Sequence, residues 1–227
     1  MIENLDFETF LYISKSKYQI FVYDKNNLKN LYNAEIANND DEDELNILSK
    51  FLDNNIYKIE KMIKKFIRNI ILIIEDDKVL DVSISLKKNY EKNIDQKYLE
   101  KSLVEVKDVF RENYKDQIIM HMIVVENDKN EYNFLLNNDN HLYLEINFIS
   151  ITNNFTFYFD KLLENHQIKI SRYMSFKYIK SYIGEDFMEL SMMANKLSKG
   201  LNKNEVQIVS KNVEKKGFFE RFFQLFS

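Results

Sequence analysis

Three histidines, His121, His141 and His166, are the side chains best suited to moving a proton or binding a metal near neutral pH. They fall on different predicted elements. None stands four residues from another, the spacing that would set two imidazoles on one helix face. Strand-packing or surface roles are expected for all three. The acidic run N-N-D-D-E-D-E (38–44) has the charge of a calcium loop but lacks its alternating ligands and central glycine, and reads as a solvated loop. There is no cysteine, which excludes thiolate metal sites and cysteine nucleophiles. The only glycines are Gly184, Gly200 and Gly217, so no glycine-rich phosphate loop can be built. Neither an enzyme nor a bound cofactor is expected from these residues, and no metal site.

The strongest pattern lies at the end of the chain, in K-K-G-F-F-E-R-F-F-Q-L-F-S (215–227). On a helix, Phe218, Phe219, Phe222, Phe223 and Phe226 share one face, joined by Leu225 beside them. Glu220, Arg221 and Gln224 fall on the other, and Lys215 and Lys216 precede it. An aromatic face with basic neighbours suits the interfacial zone of a membrane. Such a helix is about 15 Å long, enough to lie on a bilayer and too short to cross one. The expected membrane-binding residues are therefore Phe218, Phe219, Phe222, Phe223, Leu225, Phe226, Lys215, Lys216 and Arg221.

The rest of the chain must form the body that carries this tail. Residues 7–23 read as two strands around S-K-S-K, and 28–36 as a third. Leu45, Leu48, Phe51, Leu52, Ile56, Ile59, Met62, Ile63 and Phe66 recur at helical spacing. Ile67 to Ile74 is an apolar run that predicts a buried strand, and Val79 to Leu86 alternates as a half-buried one does. A helix led by Asp95 follows, then strands at 118–125, 132–136 and 142–151, a helix at 154–165 and a strand at 168–173. Two helices, 176–183 and 186–197, close the body, with Gly200 ending the second. Residues 201–216 lack a core pattern and read as a polar linker.

A net charge of −4 argues against a nucleic-acid partner. The N-terminus lacks a basic segment followed by an apolar one, so no secretory signal is expected, and the expected location is cytoplasmic, peripheral on the inner face of the cell membrane.

The order of these segments resembles FtsA, the bacterial actin-like cell-division family that tethers FtsZ filaments to the membrane. F-L-Y-I-S-K-S-K-Y-Q-I-F-V-Y (10–23) stands where that family has F-L-D-I-G-T-S-K and an apolar strand. I-I-M-H-M-I-V-V (118–125), L-Y-L-E-I-N-F-I-S-I-T (142–152) and R-Y-M-S-F-K-Y-I (172–179) resemble the family's inserted 1C subdomain. The tail resembles its membrane-targeting helix.

The resemblance implies an α/β (α+β) fold: a reduced actin-like, ribonuclease-H-like lobe over 1–87, a 1C-like sheet-and-helix subdomain over 88–180, and a returning helix over 181–200. A linker at 201–216 and the amphipathic helix at 217–227 complete the scheme. It also implies missing nucleotide machinery. Tyr12 replaces the family's metal-holding aspartate, Ser14 replaces its phosphate-loop glycine, and the chain is too short for the second actin lobe; only Lys17 matches. The expected protein is a non-catalytic, membrane-attached, FtsA-like cell-division protein. Its expected partners are the lipid surface, FtsZ or other division proteins, and further copies of itself through the 1C-like subdomain. The alternative is a cytoplasmic actin-like module of a type IV pilus or secretion platform, whose tail docks a partner protein.

Overall fold

The computed structural model describes residues 6–38, 44–89, 96–125, 135–137, 141–183 and 189–207. In chain order the elements are β1 (Phe7–Ser14), β2 (Lys17–Asp24), β3 (Lys29–Ala37), α1 (Glu44–Ile63), β4 (Asn69–Glu75) and β5 (Leu80–Asn89). They continue with α2 (Gln96–Asn113), β6 (Gln117–Val124), β7 (Leu135–Asn137), β8 (His141–Thr152), α3 (Asn153–Glu164), β9 (Lys169–Ser175), α4 (Phe176–Ile183) and α5 (Leu190–Ser198).

Two sheets result. The first has five strands in the order β3-β2-β1-β4-β9. β1, β2 and β3 form an antiparallel meander, while β4 and β9 run parallel to β1. β4 sits between two neighbours and buries every residue from Ile70 to Ile74, which is why its sequence is apolar without alternation. The second sheet has the order β5-β8-β6, with β7 also on β8. β5 alternates half-buried and exposed residues along its whole length, as a strand with one wet face should.

α1 buries Leu48, Phe51, Leu52, Ile56, Ile59 and Ile63 against the first sheet. The stripe expected from spacing ran further, but Met62 is 42% and Phe66 71% exposed. The helix stops at Ile63, and Lys64 takes φ 55°, turning the chain out of the helical path before Phe66 can reach the core. α2 lays Val106 and Phe110 on Phe148, Leu144 and Ile146 of β8. Phe110 and Phe148 stack with centroids 4.6 Å apart. At the other end of β8, Ile149 and Ile151 enter the core of the first sheet, joining the two sheets through packed side chains.

Strand pairing divides the chain differently from the expected boundaries at 87/88 and 180/181. β5 begins at Leu80 yet pairs along its length with β8, in the second sheet. β9 lies inside 88–180 yet pairs with β4, in the first. A strand joins the sheet that its neighbours' open edges offer, so pairing overrides sequence order here.

The expected linker also fails in its first part. Residues 201–207 pack onto the body: Val124 donates its N–H to the Asn204 carbonyl (2.9 Å), Val206 donates to that of Met122 (2.8 Å), and Ile123 bridges Glu205. This strap covers the outer edge of β6. Val206 joins the core under α2, and the Glu205 carboxylate is drawn inward by Arg172 and His121. Residues 208–216 and the expected amphipathic helix at 217–227 lie outside the described residues.

Candidate functional site

The parallel strands β1, β4 and β9 end together, with Ser14 beside Glu75 and Ile74 beside Ser175. Ligands of open α/β sheets bind at this carboxyl end. A cleft of about 730 Å³ opens there, lined by the β1–β2 turn, the turn after β4, Asp81, Ile149 and the first turns of α4.

The turn at the mouth is closed on itself. Ser14 Oγ accepts the N–H of Lys17 (3.1 Å) and donates to the Lys17 carbonyl (3.0 Å). No residue of this turn has positive φ, so the backbone does not form the glycine-type curve that aims successive N–H groups at a phosphate. Both lysines are paired, Lys15 with Asp77 and Lys17 with Glu35 (2.8 Å). Beneath the turn, Tyr12 is buried, packs against Phe176 with ring centroids 5.3 Å apart, and donates its hydroxyl to the Glu75 carboxylate. Burial first, and then the bond to Glu75, push the Tyr12 phenol well above its ordinary value, which favours the protonated form. The lining brings four carboxylates (Glu75, Asp76, Asp77, Asp81) against three ammonium groups (Lys15, Lys177, Lys180). A polyphosphate gains little from that balance.

Behind the same wall lies a buried polar network. His121 on β6 is fully enclosed; its Nε2 accepts the N–H of Ser175 (2.9 Å), and its Nδ1 lies 2.9 Å from Glu205 Oε1. With Nε2 accepting, the proton is on Nδ1 and points at the carboxylate. Burial holds the His121 pKa below its ordinary value, outweighing the opposite pull of Glu205 and reinforced by Arg172. Glu205, 4% exposed, also bonds Arg172 Nη2 and lies 3.4 Å from the Tyr178 hydroxyl, which accepts from Asn202 Nδ2 at 2.7 Å. Burial alone would raise the Glu205 pKa; His121, Arg172 and Tyr178 together bring it below the usual carboxylate value.

The histidine–glutamate pair is enclosed within the fold. The nitrogen that would act as base is already occupied by a backbone N–H. Its work is to fasten four segments at one point: β6, β9, the start of α4 and the strap.

His121 thus has the strand-packing place expected of it. His166 lies on the surface side, 3.4 Å from Asp53. The side chain of His141 is outside the described residues. Among the described residues, no group of three or more His, Cys, Asp or Glu side chains could hold a metal. The expected membrane-binding residues, Lys215, Lys216, Phe218, Phe219, Arg221, Phe222, Phe223, Leu225 and Phe226, are also outside them. Among the described residues, no helix is long and apolar enough to cross a membrane.

No family model matches this chain, and no curated protein matches it in sequence. Solved structures do match in fold. The PilM–PilN type IV pilus biogenesis complex aligns over 77% of this chain and 49% of that one, at 10% identity and a TM-score of 0.50. The cytoplasmic domain of EpsL, an inner membrane component of the type II secretion system of Vibrio cholerae, aligns over 75% and 56%, at 8% identity and 0.39. A Bacteroides thetaiotaomicron protein with an actin-like ATPase fold aligns over 78% and 55%, at 12% identity and 0.34. This chain spans about half the length of the structures it matches. Its fold is mixed α/β and actin-like. The likeness does not single out the FtsA family among actin-like proteins.

Proposed function

We propose that this chain is a non-catalytic, actin-like adaptor that binds a protein partner at the cytoplasmic face of a membrane. The observation that carries the reading is the β1–β2 turn. Ser14 occupies the Lys17 N–H, Lys15 and Lys17 are both ion-paired, and a protonated Tyr12 bonded to Glu75 stands where a metal-holding carboxylate would be needed. An actin-like lobe so arranged offers its surfaces rather than a reaction.

In the first reading the assembly is a division complex. Phe218, Phe219, Phe222, Phe223, Leu225 and Phe226 hold the lipid surface, with Lys215, Lys216 and Arg221 on anionic headgroups, and the body engages FtsZ or other division proteins. In the second, the chain is a module of a pilus or secretion platform and the tail meets a protein. The fold shared with the PilM–PilN complex favours this second reading.

Co-sedimentation with anionic liposomes separates the two. Under the first reading the wild-type chain pellets with the vesicles and a Phe222→Asp, Phe223→Asp variant stays in solution. Failure of the wild-type chain to pellet removes the lipid anchor and leaves the protein-docking reading. Calorimetry with ATP and magnesium should give no binding heat; a saturable signal would overturn the non-catalytic assignment.

A further inference from the structure

β5 is the outermost strand of the second sheet, and among the described residues nothing pairs with its outer edge. It runs ten residues, contains no proline, and pairs with β8 from Leu80 to Asn89 without a bulge. The other side of this sheet is treated differently, since the strap covers β6 there. A long, regular, uncovered edge is a template for another strand.

The apolar side chains of β5 show the same incompleteness. Val82, Ile84 and Leu86 lie opposite Phe148, Ile146 and Leu144 of β8. Those three β8 residues are at most 1% exposed, whereas the three on β5 are only half-buried. They line one face of the sheet, and among the described residues no strand flanks them on the outer side. On α2, Glu105 reaches back to Lys88; Val109, four residues on and so on the same flank, is 38% exposed.

The sequence of the strand is L-D-V-S-I-S-L-K-K-N. Laid antiparallel against a second copy of itself and centred on Ile84, it is self-complementary. Asp81 faces Lys87 twice, once on each side of the two-fold axis. Ser83 faces Ser85, and Val82 faces Leu86. This register keeps every apolar side chain on the face it already occupies, whereas a slip by one residue would turn the incoming set over. A slip of two keeps the faces but loses both charge pairs. Asp81 bonds Asn147 at 2.5 Å within its own chain and has no ion-pair partner among the described residues; neither has Lys87.

We infer that the chain forms an isologous dimer in which β5 of one copy pairs antiparallel with β5 of another, centred on Ile84. The two four-stranded sheets then run on as one, along the path β6-β8-β5-β5-β8-β6 with each β7 beside its own β8. A two-fold interface places the same patch on both partners, which is what the self-complementary strand supplies. The inference does not depend on the proposed function.

Sedimentation velocity on the 227-residue chain over about a hundredfold range of concentration tests it. Dimer should accumulate as concentration rises. Asp81→Lys alone, or Lys87→Asp alone, replaces two attractive cross-strand pairs by two repulsive ones and should weaken the dimer roughly tenfold or more. Combining both substitutions restores opposite charges in reversed order and should restore the dimer. Self-association through the phenylalanine-rich tail would be indifferent to all three variants. A wild-type chain that stays monomeric throughout, single variants that dimerise like wild type, or a double variant as weak as the singles would each overturn the inference. Oxidative cross-linking checks the register independently, since the chain has no native cysteine. A mixture of Ser83→Cys and Ser85→Cys chains should cross-link more than either alone, and equal cross-linking would overturn the centring on Ile84.

Discussion

The two polar regions that meet at the start of α4 use the same kinds of residue to opposite ends. In the cleft, the Lys15 and Asp77 side chains are 70% and 87% exposed. In the network behind it, His121 is fully enclosed and Glu205 is 4% exposed. Tyr178 lines the first and bonds in the second. An exposed pair exchanges one set of water contacts for another and gains almost nothing. A buried carboxylate has already lost its water, so its partners must be present and well placed. Charge at the cleft is therefore disposable for the fold, and charge at the strap is not.

The largest break in this comparison should come from Glu205→Ala. It leaves Arg172 and His121 facing an unfilled, partly desolvated space, and should cost about 3–5 kcal/mol in urea denaturation. Substitution by Gln, which keeps the shape and some hydrogen bonding, should cost clearly less. His121→Phe keeps the ring but leaves the Ser175 N–H without an acceptor, at a cost of about 2 kcal/mol.

The same variant sharpens the comparison through pH. The folded state keeps His121 neutral, while the unfolded chain takes up a proton near the ordinary value of 6.5. The unfolded state thus binds more protons below that pH, and stability falls as pH drops through it. Glu205, lowered in the folded state, adds a second loss below its ordinary 4.5. Thermal midpoints should therefore decline between pH 7.5 and 5.5 in the wild type and decline less in His121→Phe. An equal decline in both would move the acid sensitivity elsewhere.

Smaller effects belong to the cleft. Ser14→Ala frees the Lys17 N–H at a partly buried turn and should cost about 1 kcal/mol by the same denaturation measurement. Asp77→Ala should leave the unfolding midpoint where it is. A clear loss of stability there would erase the contrast between the two regions.

Much of the body was readable from local pattern. The uninterrupted apolar run of β4, the alternation of β5, the meander around S-K-S-K and the helical stripe of α1 each depend on neighbours in sequence, and spacing records them. Gly200 as the helix stop was readable too: it takes φ 82° just past α5, where a side chain would be strained. What escaped was long-range. Nothing local announces that β9 returns to β4, or that β5 pairs with a strand about sixty residues on. The strap escaped for a sharper reason. Its pairing with β6 is a single bridge of two backbone bonds, too little to impose a period, and its decisive residue is a glutamate among asparagines and lysines. His121 and Glu205 stand 84 positions apart, and only the folded chain brings them together. The cleft was legible in part. Tyr12 and Ser14 stood out as departures from an actin-like turn, but their bonds to Glu75 and Lys17 did not.

The position of Glu205 also sets an order on synthesis. β6 and β9 are made before the strap, so His121 and Arg172 exist on the nascent chain without their carboxylate. Domains generally begin to fold from the N-terminal side as they are made. Here both sheets can assemble and meet once β9 has appeared, yet the polar network at their junction is not complete until residues 201–207 follow. The body is thus completed last at the point from which the phenylalanine-rich segment continues, and a chain stopped just short of Glu205 would hold both sheets together through Ile149, Ile151 and the Ser175–His121 bond but would lack the carboxylate that pairs Arg172 and His121.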